Sequence, residues 1–164
     1  MRARTGGQCY MYRSTGTYTT PVWTLVASVE DVNVSDLSRS LAEIKRRSSQ
    51  FVSNLPALIQ TIKLAFKHWF GIDSTNFTAM QSCFFGGNIE EWLVLDDLVA
   101  TTGSQGLRCP MIVSQFNINE GIEDAVSIDV ELSTAYWESP AGTAIDPSWY
   151  TVVGGSTTTT TALP

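Results

Sequence analysis

The stretch GSQGLRCPMIVSQFNINEGIEDAVSIDVELSTAY, residues 103–136, decides which fold this sequence can adopt. Its second half alternates between an apolar and a polar set. Val126, Ile128, Val130 and Leu132 alternate with Ser127, Asp129, Glu131 and Ser133. Successive side chains of a β-strand point to opposite faces, so a period of two predicts an antiparallel strand with one buried face and one wet, acidic face.

The first half of the stretch predicts another long strand, 107–118, with Ile112, Phe116 and Ile118 on one side. The residues 119–121, Asn-Glu-Gly, have the composition of a turn between the two strands. The segment 103–107, GSQGL, is also interpreted as a turn. It is not a phosphate-binding loop, because the Gly-Lys-Ser/Thr ending and the following helix are missing.

Outside this stretch the sequence predicts one helix and several short strands. Asp73 or Ser74 can cap a helix over 74–85, with Phe77, Met80 and Phe84 on one face and two glycines ending it. Strands are expected within 17–34, 58–66 and 89–95. The predicted fold class is mainly β, with two packed antiparallel sheets, as a β-sandwich or partly open barrel, and one flanking α-helix.

Three segments follow from this pattern. Residues 1–16 are predicted to form an N-terminal arm or short strand, 17–137 the β domain, and 138–164 an extended C-terminal arm with a Thr-rich end. Trp149 and Tyr150 stand out in this arm, and two large aromatics there indicate docking on another surface. Within 36–50, Leu37, Leu41 and Ile44 have helical spacing, which by itself favours a short amphipathic helix.

Composition narrows the function classes. The chain has 164 residues and a formal charge of −6, which disfavours a protein that grips DNA phosphates through Lys and Arg. Three widely spaced cysteines indicate neither a zinc site nor a disulfide framework and fit a reducing cytoplasm. No apolar run follows Arg2 and Arg4, so we expect no signal peptide, and no stretch is apolar enough to span a membrane.

No constellation of residues predicts catalysis, so we expect neither an enzyme nor a cofactor or metal. The single histidine, His68, has no nucleophile-elbow motif such as GxSxG to work with. The acidic pairs at 90–91 and 96–97 are neighbours on strands and point to opposite faces. Asp129 and Glu131 share a face and could hold a cation, but a solvated sheet face is the commoner explanation.

The order of the segments resembles phage tail tube proteins over roughly residues 15–152. Residues 103–107 match the family's GSQGL-type turn, 116–125 resemble its FxxxEPLEEA segment, and 132–136 resemble its LKPTY ending. Upstream, 29–34 resemble its early strand and 41–47 its EADVTTR-like hairpin, and 146–152 are similar to its APEWVTV element. Gly121 stands where the family usually has Pro, and 133–135 replace Lys-Pro-Thr.

The resemblance implies a β-sandwich-like subunit of a siphophage-type, long-tailed phage. Its hexameric rings would stack into a tube around an acidic lumen that conducts DNA during ejection. A long hairpin loop, 37–50 here, would reach the adjacent ring, so that segment is interpreted as a hairpin instead of a helix. The implied partners are further copies of the chain and other tail proteins, namely the terminator, the distal tail protein and a tape measure in the lumen. DNA would be a partner only in passage, membranes would not be one, and the protein would be made in the host cytoplasm and reside in the virion.

Two sets of residues are candidates for these roles. The basic cluster in 37–50 is predicted to meet acidic residues of the next ring, because complementary charges set register and partner choice. The predicted inter-ring and subunit contacts are Arg39, Glu43, Lys45, Arg46, Arg47, Asp96, Asp97, Glu123, Asp124, Trp149 and Tyr150. The predicted lumen residues are Ser127, Asp129 and Glu131.

Two other functions stay open from the sequence. One is a related phage protein such as a tail terminator, neck or decoration protein with a similar β fold. The other is a monomeric β-sandwich that binds a small ligand or carbohydrate, which would present a concave aromatic patch.

Overall fold

The structure, a computed structural model, describes residues 9–35, 37, 39–45, 52–59, 62–71, 73–120, 126–153 and 157–162. Eleven strands and one helix lie in these ranges. In chain order they are β1 Tyr10–Ser14, β2 Trp23–Leu25, β3 Val29–Ser35, β4 Arg39–Lys45, β5 Val52–Ile59, β6 Lys63–Trp69, α1 Ser74–Gly86, β7 Ile89–Leu95, β8 Gln105–Asn119, β9 Ser127–Thr134, β10 Ser148–Val153 and β11 Thr157–Ala162. The prediction of a mainly β fold with a flanking helix is confirmed.

Nine of the strands form one open antiparallel sheet in the order β2-β1-β7-β8-β9-β6-β3, with β10 and β11 attached beside β8. The prediction of two packed sheets is therefore wrong for the described strands. The cause is β8, which is 15 residues long. Its first half pairs with β7 on one edge and β10 on the other, and its second half pairs with β9. One continuous strand thus joins what would otherwise be two layers.

Apolar residues are buried on both sides of this sheet. The larger core lies between the sheet and α1 and contains Met80 and Cys83 of the helix together with Phe66, Trp92 and Val130 of the strands. The smaller core lies on the other face. It consists of Tyr12, Leu93, Leu95, Tyr150 and Val152. Trp92 and Leu93 belong to different cores because neighbouring residues of β7 point to opposite faces.

The helix begins and ends where local chemistry sets its bounds. The Asp73 carboxylate accepts a hydrogen bond from Asn76 N at 3.1 Å, which satisfies one of the free N–H groups of the first turn. Gly87 ends the helix in the left-handed conformation, with φ 62°. Within the described residues, no helix is long and apolar enough to cross a membrane.

Strands lie in both terminal segments. β1 lies inside the sheet between β2 and β7, so the described part of 1–16 contains a short strand, one of the two forms expected for it. β10 pairs with β8, Ser148 facing Arg108 and Thr151 facing Gln105, so this part of 138–164 belongs to the subunit's own sheet. The alternation of Ser148, Tyr150 and Val152 with exposed Trp149 and Val153 explains why β10 forms a strand with one buried face.

The segment predicted as a hairpin at 37–50 forms part of a longer one. β4 and β5 pair as a separate two-stranded sheet, from Lys45 opposite Val52 to Arg39 opposite Ile59. Of the predicted range, the structure describes residue 37 and the first strand of this pair, β4. The helical spacing of its leucines does not produce a helix in 39–45.

Candidate assembly surfaces

The last half of β8 forms a four-stranded unit with β9, β6 and β3. The pairings place Ile118, Ile128, His68 and Val29 in one row across the unit. Val113, Leu132, Leu64 and Val34 form a second row. Both rows face the core side of the sheet. The two outer strands of the unit are β3 and residues 113–119 of β8. Each contributes seven residues and extends across both rows, so the two strands lie at the same level of the sheet.

Both edges of this unit lack a strand partner among the described residues. β3 is the last strand of the sheet order, and β7 pairs with β8 only up to Ile112. Backbone N–H and C=O groups at such edges are templates for pairing with another chain. A β-bulge between Glu30 and Asn33, with Asp31 at φ 54°, makes part of the β3 edge irregular.

The face of the unit opposite the core is polar and forms a groove of about 350 Å³. Asp129 and Glu131 of β9 lie beside Lys67 of β6, and Lys63 Nζ lies 3.1 Å from Glu131 Oε1. Glu30 and Asp31 lie at the β3 side, and Asn117 and Asn119 at the β8 side. Four carboxylates and two ammonium groups leave this face with a net formal charge of −2.

The three predicted lumen residues differ in their access to solvent. Asp129 is exposed and Glu131 is half-buried, so both contribute to the polar face. Ser127 is 6% exposed, so it does not present its hydroxyl to a lumen. Lys63 and Lys67 of β6 flank the acidic residues because β6 pairs with β9 in the sheet.

The predicted inter-ring residues lie in different parts of the chain. Arg39, Glu43 and Lys45 are on β4. Arg46, Arg47, Glu123 and Asp124 lie outside the described residues. Asp96 and Asp97 organise the loop after β7: Asp96 Oδ1 accepts from Gln105 N at 2.8 Å, and Asp97 Oδ1 accepts from Leu98 N at 2.7 Å.

Trp149 and Tyr150 have different environments although they are adjacent. Trp149 is 40% exposed and donates from Nε1 to Gln105 Oε1 at 3.0 Å, so its ring can contact a neighbour. Tyr150 is 1% exposed and packs in the smaller core. The prediction that Tyr150 docks on another subunit is wrong, because β10 turns this side chain into its own sheet.

A buried ion pair was not found by sequence reasoning. Glu91 and Arg108 are 1% and 5% exposed and form a two-point contact, in which Nη2 donates to Oε2 at 2.9 Å. The guanidinium also donates to Tyr18 O at 2.8 Å and lies against the Tyr18 ring, 4.5 Å from its centroid. The sequence feature that could have indicated this pair is the position of Arg108 between Leu107 and Cys109 in a predicted strand, because a charged residue among apolar ones needs a buried partner. Glu90 points to the opposite face, as predicted, and pairs with Arg13 at 2.9 Å.

The Ser28–His68 pair and two of the three cysteines are buried, whereas Cys9 is exposed. Ser28 Oγ lies 2.8 Å from His68 Nδ1, but the exposed fraction is 7% for Ser28 and zero for His68, so no substrate can reach the pair. Burial also raises the pKa of the Cys83 and Cys109 thiols to about 12, which keeps them protonated at neutral pH. No group of three or more His, Cys, Asp or Glu side chains in the described ranges could hold a metal ion.

His68 predicts a pH-dependent stability. Burial lowers its pKa, and the Asp73 carboxylate only partly opposes this. Its Nε2 is buried without a hydrogen-bond partner, so a protonated ring would be poorly compensated. Below about pH 6.5 the His68 imidazole binds a proton in the unfolded chain but stays neutral in the folded chain until the pH falls to its lowered pKa. We therefore expect the free energy of unfolding to fall with decreasing pH, by up to about 1.4 kcal/mol per pH unit.

Urea unfolding of wild type and His68→Gln between about pH 7 and pH 5.5 measures this effect, since a neutral amide in place of imidazole titrates nowhere in that window. The wild type is expected to lose stability and the variant to lose much less. Equal pH slopes in the two proteins would assign the effect to other groups.

These features define a tail-tube-like fold, a mainly β antiparallel open sheet with one helix. A chain of the SPP1 tail tube is similar over 93% of this chain and 81% of its own, with a TM-score of 0.65 and 10% identity. A chain from the tail of an empty gene transfer agent (GTA) particle, determined with C6 symmetry, gives 88% and 98% coverage, a TM-score of 0.61 and 14% identity.

A contractile injection system provides a further match. A chain from the structure of the PVC sheath/tube terminator in the extended state is similar over 82% of this chain and 94% of its own, with a TM-score of 0.57 and 8% identity. No protein-family model and no curated protein matches this sequence.

Proposed function

We propose that this chain is the tail tube subunit of a long-tailed, siphophage-type phage. Its copies would form six-membered rings that stack into a DNA conduit. The observation that supports this most is the four-stranded unit with two partnerless edges in a tail-tube-like fold. A neighbouring copy that pairs its β3 with the second half of β8 would satisfy both edges at once, and a closed ring would leave no edge.

The direction of the strands is compatible with such a ring. The unit has four strands, and each is antiparallel to the next. Because the number is even, β3 and β8 run in opposite directions, and a rotation about a ring axis preserves directions. The joint between copies would therefore be antiparallel like every other pairing. Six copies would give about 24 strands and, at about 4.8 Å each, a circumference of about 115 Å, wide enough for a DNA duplex.

The polar face would then line the lumen. Its net charge of −2 for each copy, from the groups described above, gives −12 for a ring of six. The lysines lie between acidic strands, and Lys63 is already paired with Glu131, so they are poorly placed to hold phosphates. Repulsion that is screened over about 8 Å at physiological salt would let DNA pass without binding.

Ring stacking is assigned to the β4–β5 hairpin and its turn. The basic residues Arg39, Lys45, Arg46 and Arg47 would meet acidic residues of the next ring, with Asp96, Asp97, Glu123 and Asp124 as the proposed partners. Trp149, which is exposed, is retained as a proposed contact with a neighbouring subunit or tail protein.

Electron microscopy of the purified protein tests both levels of this assembly. Wild type is expected to form hollow tubes. Arg46→Glu/Arg47→Glu is expected to form single rings, because charge reversal at the stacking contact costs several kcal/mol while the β3–β8 joint is unchanged. Lys63→Glu is a control reversal on the polar face. A wild type that remains monomeric would refute the tube, and long tubes from the double variant would refute the stacking role.

A tail terminator is the second candidate, because the fold also matches a chain from the structure of the PVC sheath/tube terminator. A terminator is expected to end a tube, so its copies would stop at single rings. The same micrographs of the wild type separate the two functions.

A further inference from the structure

Five phenylalanines and one isoleucine, three of them on α1 and three beside it, form a surface row that is here called the aromatic row. It consists of Phe70, Phe77, Phe84, Phe85, Phe116 and Ile118. The ring centroids of Phe70 and Phe77 are 4.9 Å apart, those of Phe77 and Phe116 are 5.7 Å apart, and those of Phe84 and Phe116 are 6.0 Å apart. Phe85 is 78% and Ile118 55% exposed, so the row leaves apolar surface in water.

The row lies at the partnerless edge of the four-stranded unit. Phe116 and Ile118 are on the second half of β8 and face the core side, opposite Val130 and Ile128 of β9. Phe77 and Phe84 of α1 pack against Phe116 from that side. The row therefore occupies the place where the core would continue if another strand were added to β8.

The other edge of the unit presents a complementary surface. Val29, Val32 and Val34 of β3 are only half-buried and face the same side of the sheet, against the larger core. The polar face is also compatible at this joint, since exposed Glu30 and Asp31 of one copy would meet the neutral amides Asn117 and Asn119 of the next. Amide groups can donate hydrogen bonds to carboxylates, and no like charges meet.

We propose that the aromatic row receives the Val29, Val32 and Val34 face of β3 from a second copy of this chain. This inference rests on the proposed ring and names its hydrophobic seam. In a sheet that continues from β8 into the neighbour's β3, residues on the same face become cross-strand neighbours, about 4.5–5.5 Å apart at Cβ. Aromatic and β-branched residues are favourable pairs at that distance. A second copy fits better than another occupant, because the aromatic row and the β3 valines lie at opposite edges of the same four-stranded unit and extend across the same rows of that unit.

The seam is tested by placing charges in it. Phe85→Glu/Ile118→Glu substitutes exposed positions, so the monomer is expected to fold with a near-wild-type circular dichroism spectrum and melting temperature. Ring association, measured by sedimentation over a concentration series, is expected to weaken at least about ten-fold, equivalent to about 1.4 kcal/mol, because a carboxylate would be buried without a partner. Val22→Glu/Leu98→Glu is the matched control, with exposed apolar residues away from the row, and is expected to associate like wild type.

A second measurement locates the contact directly. In a Cys9→Ser background, Ile118→Cys and Val29→Cys chains, whose substituted positions lie in the same row of the unit, are mixed and treated with a short thiol-to-thiol cross-linker. The two remaining native cysteines, Cys83 and Cys109, are buried. A cross-linked dimer is expected in the mixture and in neither single variant. If wild type forms rings while the charged variant associates equally well, or no mixed dimer appears, the seam is refuted and the ring stands. A wild type that forms no rings refutes both proposals.

Discussion

Gly106→Ala is expected to prevent folding or to lower the free energy of unfolding by more than about 4 kcal/mol, a size that point substitutions rarely reach. A Cβ built at this glycine would lie 1.7 Å from Val94 O and 2.8 Å from Val94 C, both backbone atoms. Gly106 faces Leu95 of β7 on one side and Tyr150 of β10 on the other. β8 is paired on both edges at this position, so it cannot move away from β7 without disturbing its pairing with β10. The added methyl group must therefore separate β7 from β8.

Gly103→Ala is the matched control, three residues away. Gly103 has φ 86°, and nothing lies within 4 Å of its added Cβ. Its cost is only that of a left-handed backbone, about 1–2 kcal/mol. Chemical denaturation of both variants measures the difference between their free energies of unfolding. One kcal/mol corresponds to about 2–4 °C in melting temperature for a chain of this size, so Gly106→Ala should melt at least about 5 °C below Gly103→Ala. Equal losses would mean that close packing at Gly106 is relieved by small backbone shifts.

The elements that sequence reasoning predicted well are those whose signals are local. In β9, Ile128, Val130 and Leu132 are buried and Asp129 is exposed, as the alternation predicts, because one strand with one wet face contains its own pattern. The helix was found for the same reason, since its capping residue and its terminal glycines lie within the segment.

The elements that were missed depend on contacts between distant segments. The partner of β10 is the start of β8, more than 40 residues earlier, and nothing within 148–153 identifies that strand. Local pattern also gave no indication that β8 would bridge two layers, so two packed sheets were expected where the described strands form one nine-stranded open sheet and a separate β4–β5 pair. Low-complexity composition suggested an extended arm at 138–164. Residues 148–153 nevertheless alternate between buried and exposed side chains, and they form a strand because the start of β8 has an edge with which they pair.

The candidate site shows the same division. Asp129 and Glu131 could be assigned to a polar face from sequence, whereas their lysine neighbours on β6 follow from the order β9-β6-β3. The aromatic row joins the end of β6, the helix and the end of β8. The sequence placed Phe77, Met80 and Phe84 on one face of the helix. Met80 is fully buried, whereas Phe84 is 37% exposed and belongs to the aromatic row.

Arg108→Ala is expected to destabilise the protein by about 3–5 kcal/mol, because removing one partner leaves the Glu91 carboxylate buried without its counter-charge. Both side chains are at least 95% buried, and the guanidinium also donates to Tyr18 O at 2.8 Å. Lys63→Ala is the control for an ion pair at the surface. Its partner Glu131 keeps access to water, so the loss should stay below about 1 kcal/mol.

The double variant Arg108→Met/Glu91→Leu separates the charge from the packing. Apolar side chains of similar volume can replace a buried pair at little cost, so most of the stability lost in Arg108→Ala should return. The hydrogen bond to Tyr18 O and the stacking on its ring do not return. Limited proteolysis should therefore cut the double variant faster than wild type around Tyr18 even when urea midpoints agree. If the double variant is as unstable as Arg108→Ala, the guanidinium stabilises the fold mainly through Tyr18 and the aromatic rings, and the ion pair contributes little.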